Sequence, residues 1–544
     1  MKRILAFSLS LIMLLLISCK GPQTTNNDNQ SGDVENSKPA PESISLLYRS
    51  NDTLNPYAAS SLLNRQISYL LFDPLVKVDN SYQPKFVLAK DIDYNGKNCT
   101  ITLNDAYFSD GTAVTAEDVV YCYNLAKNSN LIYSEQLKFI SSMVADGSKT
   151  ISVRLTKSDP YFANLLDFPI FKRESEKAVD EDNISLPPIG SGRYVPDLSN
   201  TQLIRNDLHI NGTPSVKKIS LLHAPDDQVI EHNLESNYVS LYYTDLSDGI
   251  IHSMTGSSYL VNLNNLVYLG ANMNSGKCKN EKMRYLVSEA IDRAEICNMA
   301  YHELAAPATG IFNPAWNDAK GLQNISKNAS TQNIVAYLED LGYNSKNEDG
   351  YYVASNKVVL TLTLVCYRDN NRHVSVAEAV AENLKKIGIK VNIQKLGWEG
   401  YMWTLQNGQF DLYVAETRIL NNMDISNLVI PGGSMAYGIL REQNSTNQNQ
   451  DGTTKPPAND AADDLTGVMD DDFSIKYALD DSVKGFYNED YSLVDIINSF
   501  NAGMPLIPVC YRYGLTTCDM ALEIDEISSV SDPFFGISKI GSKQ

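Results

Sequence analysis

Residues 101–127, ITLNDAYFSDGTAVTAEDVVYCYNLAK, leave little room for anything but a strand, a glycine turn and a capped helix in immediate succession. Ile101 and Leu103 alternate with Thr100 and Thr102, the period of a half-buried strand, and Ser109-Asp110-Gly111 is turn chemistry. Thr115 stands three residues before Asp118, so its hydroxyl can accept an amide hydrogen bond from the first helical turn. Glu117 and Asp118 then meet the positive end of the helix dipole. The spacing predicts a helix that opens at Thr115.

The second half of the chain repeats this kind of local order. Lys357–Val365 alternates valine, leucine and threonine as a strand does, and Val374–Ile387 spaces Val376, Ala379, Val380, Asn383 and Leu384 along one helix face. Gly388 can supply a left-handed C-cap, and Ile389–Leu396 returns as a strand. Joined this way, the three elements predict a right-handed βαβ crossover with a parallel pair, hence an α/β fold. A short helix over Gly400–Asn407, ended by Gly408, and a third strand over Phe410–Ala415 follow. Ligands of open α/β sheets collect outside the carboxyl ends of the strands, which is where Glu416, Thr417 and Arg418 fall.

The chain opens on an export signal. Lys2 and Arg3 precede an apolar run, Ile4–Ile17, too short for a membrane span of ~20 residues but suited to a secretory core. Leu16-Ile17-Ser18-Cys19 resembles the bacterial lipobox, so residues 1–18 are expected to be removed and the Cys19 thiol to receive lipid. Residues 19–43 carry almost no apolar side chain and read as a flexible tether, with the globular part starting near Ile44. The formal net charge of -20 becomes -22 when Lys2 and Arg3 leave with the signal. So acidic a chain, with no basic stripe, is not expected to bind nucleic acid.

Seven cysteines remain after Cys19: Cys99, Cys122, Cys278, Cys297, Cys366, Cys510 and Cys518. An odd number cannot be absorbed by intrachain disulfides, and most sit in apolar stretches, which favours buried free thiols. Cys510 and Cys518 have a spacing that would let them pair across a hairpin. Asn444–Asp464 is polar and reads as a mobile surface loop, and the acidic run Asp470–Asp472 lacks the calcium-loop pattern.

Catalytic motifs are scarce. The six histidines fall in no HExxH, and there is no CxxC, GxSxG or P-loop. Gly190 and Gly192 lack the third glycine of a dinucleotide loop. Ser215-Val216-Lys217-Lys218 has the SxxK spacing of cell-wall serine acyltransferases, the best enzymatic alternative, although it precedes a strand rather than opening a helix. No cofactor is expected. A surface adhesion or scaffold protein is the third class.

The motifs, in order, resemble the extracytoplasmic solute-binding proteins of ABC importers, in the oligopeptide and dipeptide cluster. The resemblance rests on DTLNPY at Asp52–Tyr57, LLFDPLVKVDNSYQPKFVLAKDI at Leu70–Ile92, the DGT turn with its TAEDVV helix, and PPIGSGRY at Pro187–Tyr194. VYLGANMN, MRYLVSEAIDRAEI, the stretch Glu382–Glu416 and PLIPVCY at Pro505–Tyr511 complete it, so it covers nearly the whole mature chain. It implies a two-lobed periplasmic-binding-protein-like fold (type II, cluster C) with discontinuous lobes. One lobe would take 44–77, 186–266 and 505–544, an extra subdomain 78–185, and the other lobe 267–504. It also implies a non-catalytic, monomeric receptor that captures a small solute, a short peptide first of all. That solute would pass to permease and ATPase subunits at the outer face of the membrane.

Site residues follow from the same resemblance. Trp398 matches a pocket-lining tryptophan of the peptide binders, with core packing as the plain alternative and as the reading taken for Trp316 and Trp403. Relatives that hold a peptide amino terminus carry an aspartate where this chain has Leu420. Glu416 or Asp424 is then left to supply a carboxylate, and Arg418 can pair with an acidic group; an internal Glu416–Arg418 ion pair is the alternative. Asn421 and Asn422 extend the same loop, and Tyr133, Tyr243, Thr244, Asp245 and Asn272 match positions near the cleft. Asp292 and Arg293 read as structural.

Overall fold

Thr115 caps the helix Ala116–Lys127 as its spacing predicts: its hydroxyl accepts from the Asp118 amide, and the Asp118 carboxylate accepts from the Thr115 amide at 2.9 Å. The strand before it, Asn98–Leu103, buries Cys99, Ile101 and Leu103, and Gly111 turns the chain at φ +82°. That strand lies inside a four-stranded antiparallel sheet ordered Ala89–Asn95, Asn98–Leu103, Thr150–Leu155, Ile140–Ala145. The structure is a computed structural model and describes residues 40–247, 252, 254–325, 331–439, 471–524, 528–534, 536–537 and 540–542. The export signal expected at residues 1–18, Cys19 and the loop expected at 444–464 lie outside the described residues.

The βαβ crossover is present. Thr361–Tyr367 and Lys390–Leu396 pair in parallel across the helix Asn371–Lys386, whose first amides, those of Arg372 and His373, donate to the Asn370 side chain. Gly388, at φ +93°, ends that helix where an L side chain would be strained. Three boundaries differ from expectation. Lys357, at φ +69°, belongs to the turn before the first strand rather than to the strand. The short helix starts at Trp398 and runs to Gln406. The third strand is Leu412–Arg418, so Glu416, Thr417 and Arg418 are not beyond a strand but inside one, opposite Val267, Leu266 and Asn265.

These strands belong to a seven-stranded mixed sheet. Its order is Leu241–Thr244, Leu506–Asp519, Gly256–Ala271, Leu412–Arg418, Thr361–Tyr367 and Lys390–Leu396, with Ala305–Pro307 paired to the second. Gly256–Ala271 and Leu506–Asp519 are long enough to serve two cores. Their inner halves place Leu266–Leu269 and Val509, Cys510 and Tyr511 in the larger core. Their outer ends give Val261 and Cys518 to a second core shared with Leu241 and Tyr243. The register breaks between Asn262 and Leu266, where the strand pair leaves one core for the other. A bulge there adds twist and interrupts the ladder where the strand pair passes from one core to the other. Because Cys510 and Cys518 sit on one continuous strand, they cannot pair across a hairpin, and all seven described cysteines are buried free thiols.

Two buried polar clusters fix the frame. Arg284, fully buried, donates to the carbonyls of Cys278, Lys279, Gly503 and Met504, closing the end of the helix Leu493–Gly503. In the smaller core, Asp532 accepts from Lys77 at 2.9 Å and from Arg193 at 2.8 Å. Asp73 stands 3.3 Å from the His209 ring. Burial alone would raise both carboxyls, but these cations hold them below their ordinary range. The glycines of PPIGSGRY allow a close approach: the Gly192 amide donates to Leu71 O at 2.9 Å, and a Cβ on Gly192 would lie 2.3 Å from the Leu71 carbonyl carbon.

Candidate functional site

Alternation along Leu412–Arg418 turns Glu416 and Arg418 to one face and Thr417 to the other. Glu416 and Arg418 do not pair. Glu416 Oε1 instead accepts from Arg512 Nε at 2.7 Å and from Asn265 Nδ2 at 2.8 Å, and its Oε2 stands 3.8 Å from His373 Nε2. Burial works against the carboxylate, but these neighbours outweigh it and hold Glu416 down at about 2. Arg512 also donates to the carbonyls of Asp245 and Leu246, and Arg372 to that of Leu246, tying this network to the end of the strand Leu241–Thr244.

Arg418 is exposed, and its guanidinium makes no hydrogen bond or ion pair among the described residues. Its charge reaches the phenols of Tyr69, Tyr82, Tyr133 and Tyr243 and the carboxyl of Asp167, all contributed from outside its own strand. The helix Leu62–Leu71 places Arg65 and Tyr69 one turn apart on one face. Gln66, next to Arg65, donates to Tyr243 O at 3.2 Å and so sets that helix against the sheet. Tyr133 stands edge-on to Tyr57 with ring centroids 5.9 Å apart. Tyr69, Tyr133 and Asp167 are each partly exposed. Burial pushes the Tyr69 hydroxyl up to about 12, and Tyr133 and Tyr243 move the same way for the same reason.

The loop after Arg418 is fastened to the segment 157–167. Asn421 donates to Asp167 at 3.1 Å, Asn422 to Asp159 at 2.7 Å, and Asp424 accepts from Lys157 at 3.0 Å. Lys157 also lies 3.7 Å above the Tyr487 ring. Burial raises Asp159 to about 6, against the opposing pull of the Asn422 hydrogen bond.

The other expected residues scatter. Thr244 is buried and accepts from the Leu246 amide, and Asp245 from the Ser247 amide, so both shape the turn after their strand. Asn272 lies at the opposite end of the sheet, donating to Gly408 O, Phe410 O and Ser275 Oγ. It borders a separate cavity of about 370 Å³ with Gly408, Gly438 and Tyr437. Trp398 opens its helix against Tyr367, ring centroids 5.5 Å apart, at the same sheet end as Arg418 but beyond the strand Thr361–Tyr367. Trp316 is fully buried as expected, whereas Trp403 is more than half exposed and not a core residue. Asp292 caps the helix Arg293–Tyr301 and Arg293 bonds Ser288 and Pro508, both structural as read. Ser215 commits its hydroxyl to Ile540 O at 3.3 Å, and Lys218, the lysine of the SxxK string, is exposed at the start of the strand Lys218–His223 and makes no hydrogen bond to Ser215 among the described residues.

Arg65, Tyr69, Asp167 and Arg512 escaped the sequence reading. Only LLNRQISYLL carried a signal, an arginine and a tyrosine spaced i, i+4 on one helix. Among the described residues no group of three or more His, Cys, Asp or Glu could hold a metal ion, and no helix is long and apolar enough to cross a membrane.

The profile described as "Bacterial extracellular solute-binding proteins, family 5 Middle" matches residues 81–430, and the chain belongs to this family of extracytoplasmic receptors of ABC importers. Among individual proteins it is similar to the oligopeptide-binding protein AppA of Bacillus subtilis, 24% identical over 440 residues that span 75% of this chain and 79% of the relative. The glutathione-binding protein GsiB of Salmonella paratyphi A is 22% identical over 63% of this chain and 67% of its own. Two solved folds, the periplasmic murein tripeptide-binding protein MppA in its unliganded open form and a nickel ABC transporter protein of Bacillus halodurans, each superpose with a TM-score of 0.68 at 18% identity. They cover 94% and 91% of this chain and 99% and 98% of their own. These likenesses establish the two-lobed α/β fold with its extra subdomain. The family consists of solute receptors rather than enzymes.

Proposed function

We propose that this chain is a lipid-anchored receptor that captures a short peptide between its two lobes and presents it to an ABC permease, with ATP hydrolysis left to partner subunits. The single observation that carries the reading is the exposed Arg418 guanidinium, without a hydrogen-bond or ion-pair partner among the described residues, whose charge acts on the phenols of Tyr69 and Tyr133. Aromatic walls give much contact area at small entropic cost, and a cation without an internal partner supplies orientation. In this reading Tyr133, Tyr243, Glu416, Thr417, Arg418, Asn421, Asn422 and Asp424 line or brace the recess, Thr244 and Asp245 shape its rim, and Trp398 flanks its mouth. Asn272 stands apart and steadies the lobe. Relatives named for oligopeptides, glutathione and a murein tripeptide support a peptide-sized solute.

The reading is tested by calorimetric titration of the mature protein with tripeptide pools. Arg418→Ala and Trp398→Ala should each weaken binding while the thermal transition stays in place, and unchanged affinity in both would move the site elsewhere. The anchor has its own test: Cys19→Ala should leave the membrane fraction, and full retention there would contradict lipidation.

A further inference from the structure

At the end of the central sheet away from Arg418 lies the cavity of about 370 Å³ that Asn272 borders. Asn265 pairs with Arg418 and Ala271 with Leu412, so the two ends of that pairing are ~20 Å apart along the strand. Three segments enclose the cavity: the turn after Ala271, the last turn of the helix Trp398–Gln406 with Gly408, and the loop 432–439.

Its walls are held in place by the chain's own hydrogen bonds. Asn272, buried, donates to Gly408 O at 2.8 Å and to Phe410 O at 3.0 Å, and its oxygen accepts from the amides of Asn274 and Ser275. Asn274 donates to Gly438 O at 3.0 Å and to Ile439 O at 3.3 Å, and the Met273 amide donates to Gly438 O at 2.9 Å. A Cβ on Gly438 would lie 2.5 Å from Ala271 O, so only bare backbone comes this close to the strand end. A wall built in advance needs no ordering when a ligand enters.

What the walls present is polar and uncharged. Among the described residues that line the cavity none is Asp, Glu, Lys, Arg or His. Asp411, one residue past Phe410, has its carboxylate engaged by the amides of Lys277 at 2.9 Å and Thr363 at 2.8 Å. The Tyr437 phenol and the Gln406 carboxamide make no hydrogen bond among the described residues. The Ser275 hydroxyl accepts from Asn272 at 3.0 Å and keeps its own hydrogen to donate, and Asn407 donates to Trp403 O and keeps its oxygen. Tyr437 adds an aromatic ring to the wall.

Donors and acceptors together, no charge, one aromatic ring and a volume near the small end of the ~300–1,000 Å³ range of ligand cavities define the chemistry of an occupant. A free amino acid or a peptide end brings a full charge and finds no counter-charge here. An apolar ligand leaves the carboxamides unpaired. A ring rich in hydroxyls satisfies both kinds of group and sets its C–H face against the aromatic ring.

We propose that this cavity is a second ligand site, separate from the cleft, for an uncharged sugar ring, taken either as a free monosaccharide or as one unit of a glycan chain. Gln406, Asn407, Ser275 and the Tyr437 phenol hydrogen-bond its hydroxyls.

Saturation-transfer NMR of the mature protein tests the site, with D-glucose, N-acetyl-D-glucosamine and their tetramers, maltotetraose and chitotetraose, as probes. A dissociation constant of ~1 mM or tighter is expected for at least one of them. A tetramer that binds about fivefold tighter than its monomer assigns the site to a glycan, and equal or weaker binding of the tetramer assigns it to a free sugar. Gln406→Ala and Tyr437→Phe, checked for an unchanged melting temperature, should each weaken binding about fivefold. Arg418→Ala, in the cleft, should leave it unchanged. No binding of any probe at ~10 mM, binding abolished by Arg418→Ala, wild-type binding in both Gln406→Ala and Tyr437→Phe, or D-glucuronate binding more tightly than D-glucose overturns the proposal.

Discussion

Arg512 Nε meets Glu416 Oε1 at 2.7 Å, joining two strands of the central sheet at the level where the chain passes between its two cores. Glu416 turns to Arg512 and Asn265 and makes no pair with Arg418 two residues away. Glu416 thereby braces the central sheet, and its loss is felt first as stability.

Glu416→Gln should cost on the order of 3 kcal/mol, because Arg512 is left buried without its counter-ion. The carboxyl is held at about 2 in the folded chain against an ordinary 4.5, so its contribution is fully present above pH 4.5 and is lost as pH falls toward 2. Urea unfolding at neutral and acid pH should show a shallower acid limb in the variant. A limb of unchanged slope would mean the pair does not carry this dependence.

Asp159 works with the opposite sign. Its folded value of about 6 lies above the ordinary 3.8, so the folded state binds the proton more tightly and the contribution of this group falls as pH rises from about 4 to 6. Asp159→Asn should remove a fall of up to roughly 3 kcal/mol. Melting temperatures at pH 5 and pH 7 give the comparison, and an identical pH response in both proteins would contradict the assignment.

Arg284→Met keeps the volume but leaves four carbonyl oxygens without their donor. A loss of about 3–5 kcal/mol is expected. Chemical denaturation measures it, and a change below about 1 kcal/mol would show that other donors can replace the guanidinium.

Gly192→Ala and Gly111→Ala should differ. The first puts a methyl group 2.3 Å from the Leu71 carbonyl carbon and should cost about 3 kcal/mol or more, or abolish soluble protein. The second has open space and only its φ of +82° to strain, worth about 1–2 kcal/mol. Equal effects would remove the close-approach explanation for the PPIGSGRY glycines.

What was legible in the sequence was local. The Thr115 cap, the Gly388 stop and the crossover from Thr361 to Leu396 each depend on residues within a few turns of one another, and hydrophobic period exposes them. The partners of Glu416 were not legible, since Arg512 lies 96 residues downstream and nothing at its own position marks it. Cys510 and Cys518 misled for a related reason: their spacing suits a hairpin, but the strand runs straight through because Gly256–Ala271 pairs along its length. Trp403 was misplaced because helix periodicity does not say which face meets the core.

The central claim is that two lobes shut on cargo at the seam crossed by Gly256–Ala271 and Leu506–Asp519. Small-angle scattering of the mature protein, recorded with and without a pool of free-acid tripeptides, addresses it most directly. A smaller radius of gyration with the pool, reverting on dialysis and weakened in the Arg418→Ala variant, is the predicted result. Superimposable profiles with and without the pool for the wild-type chain would contradict it.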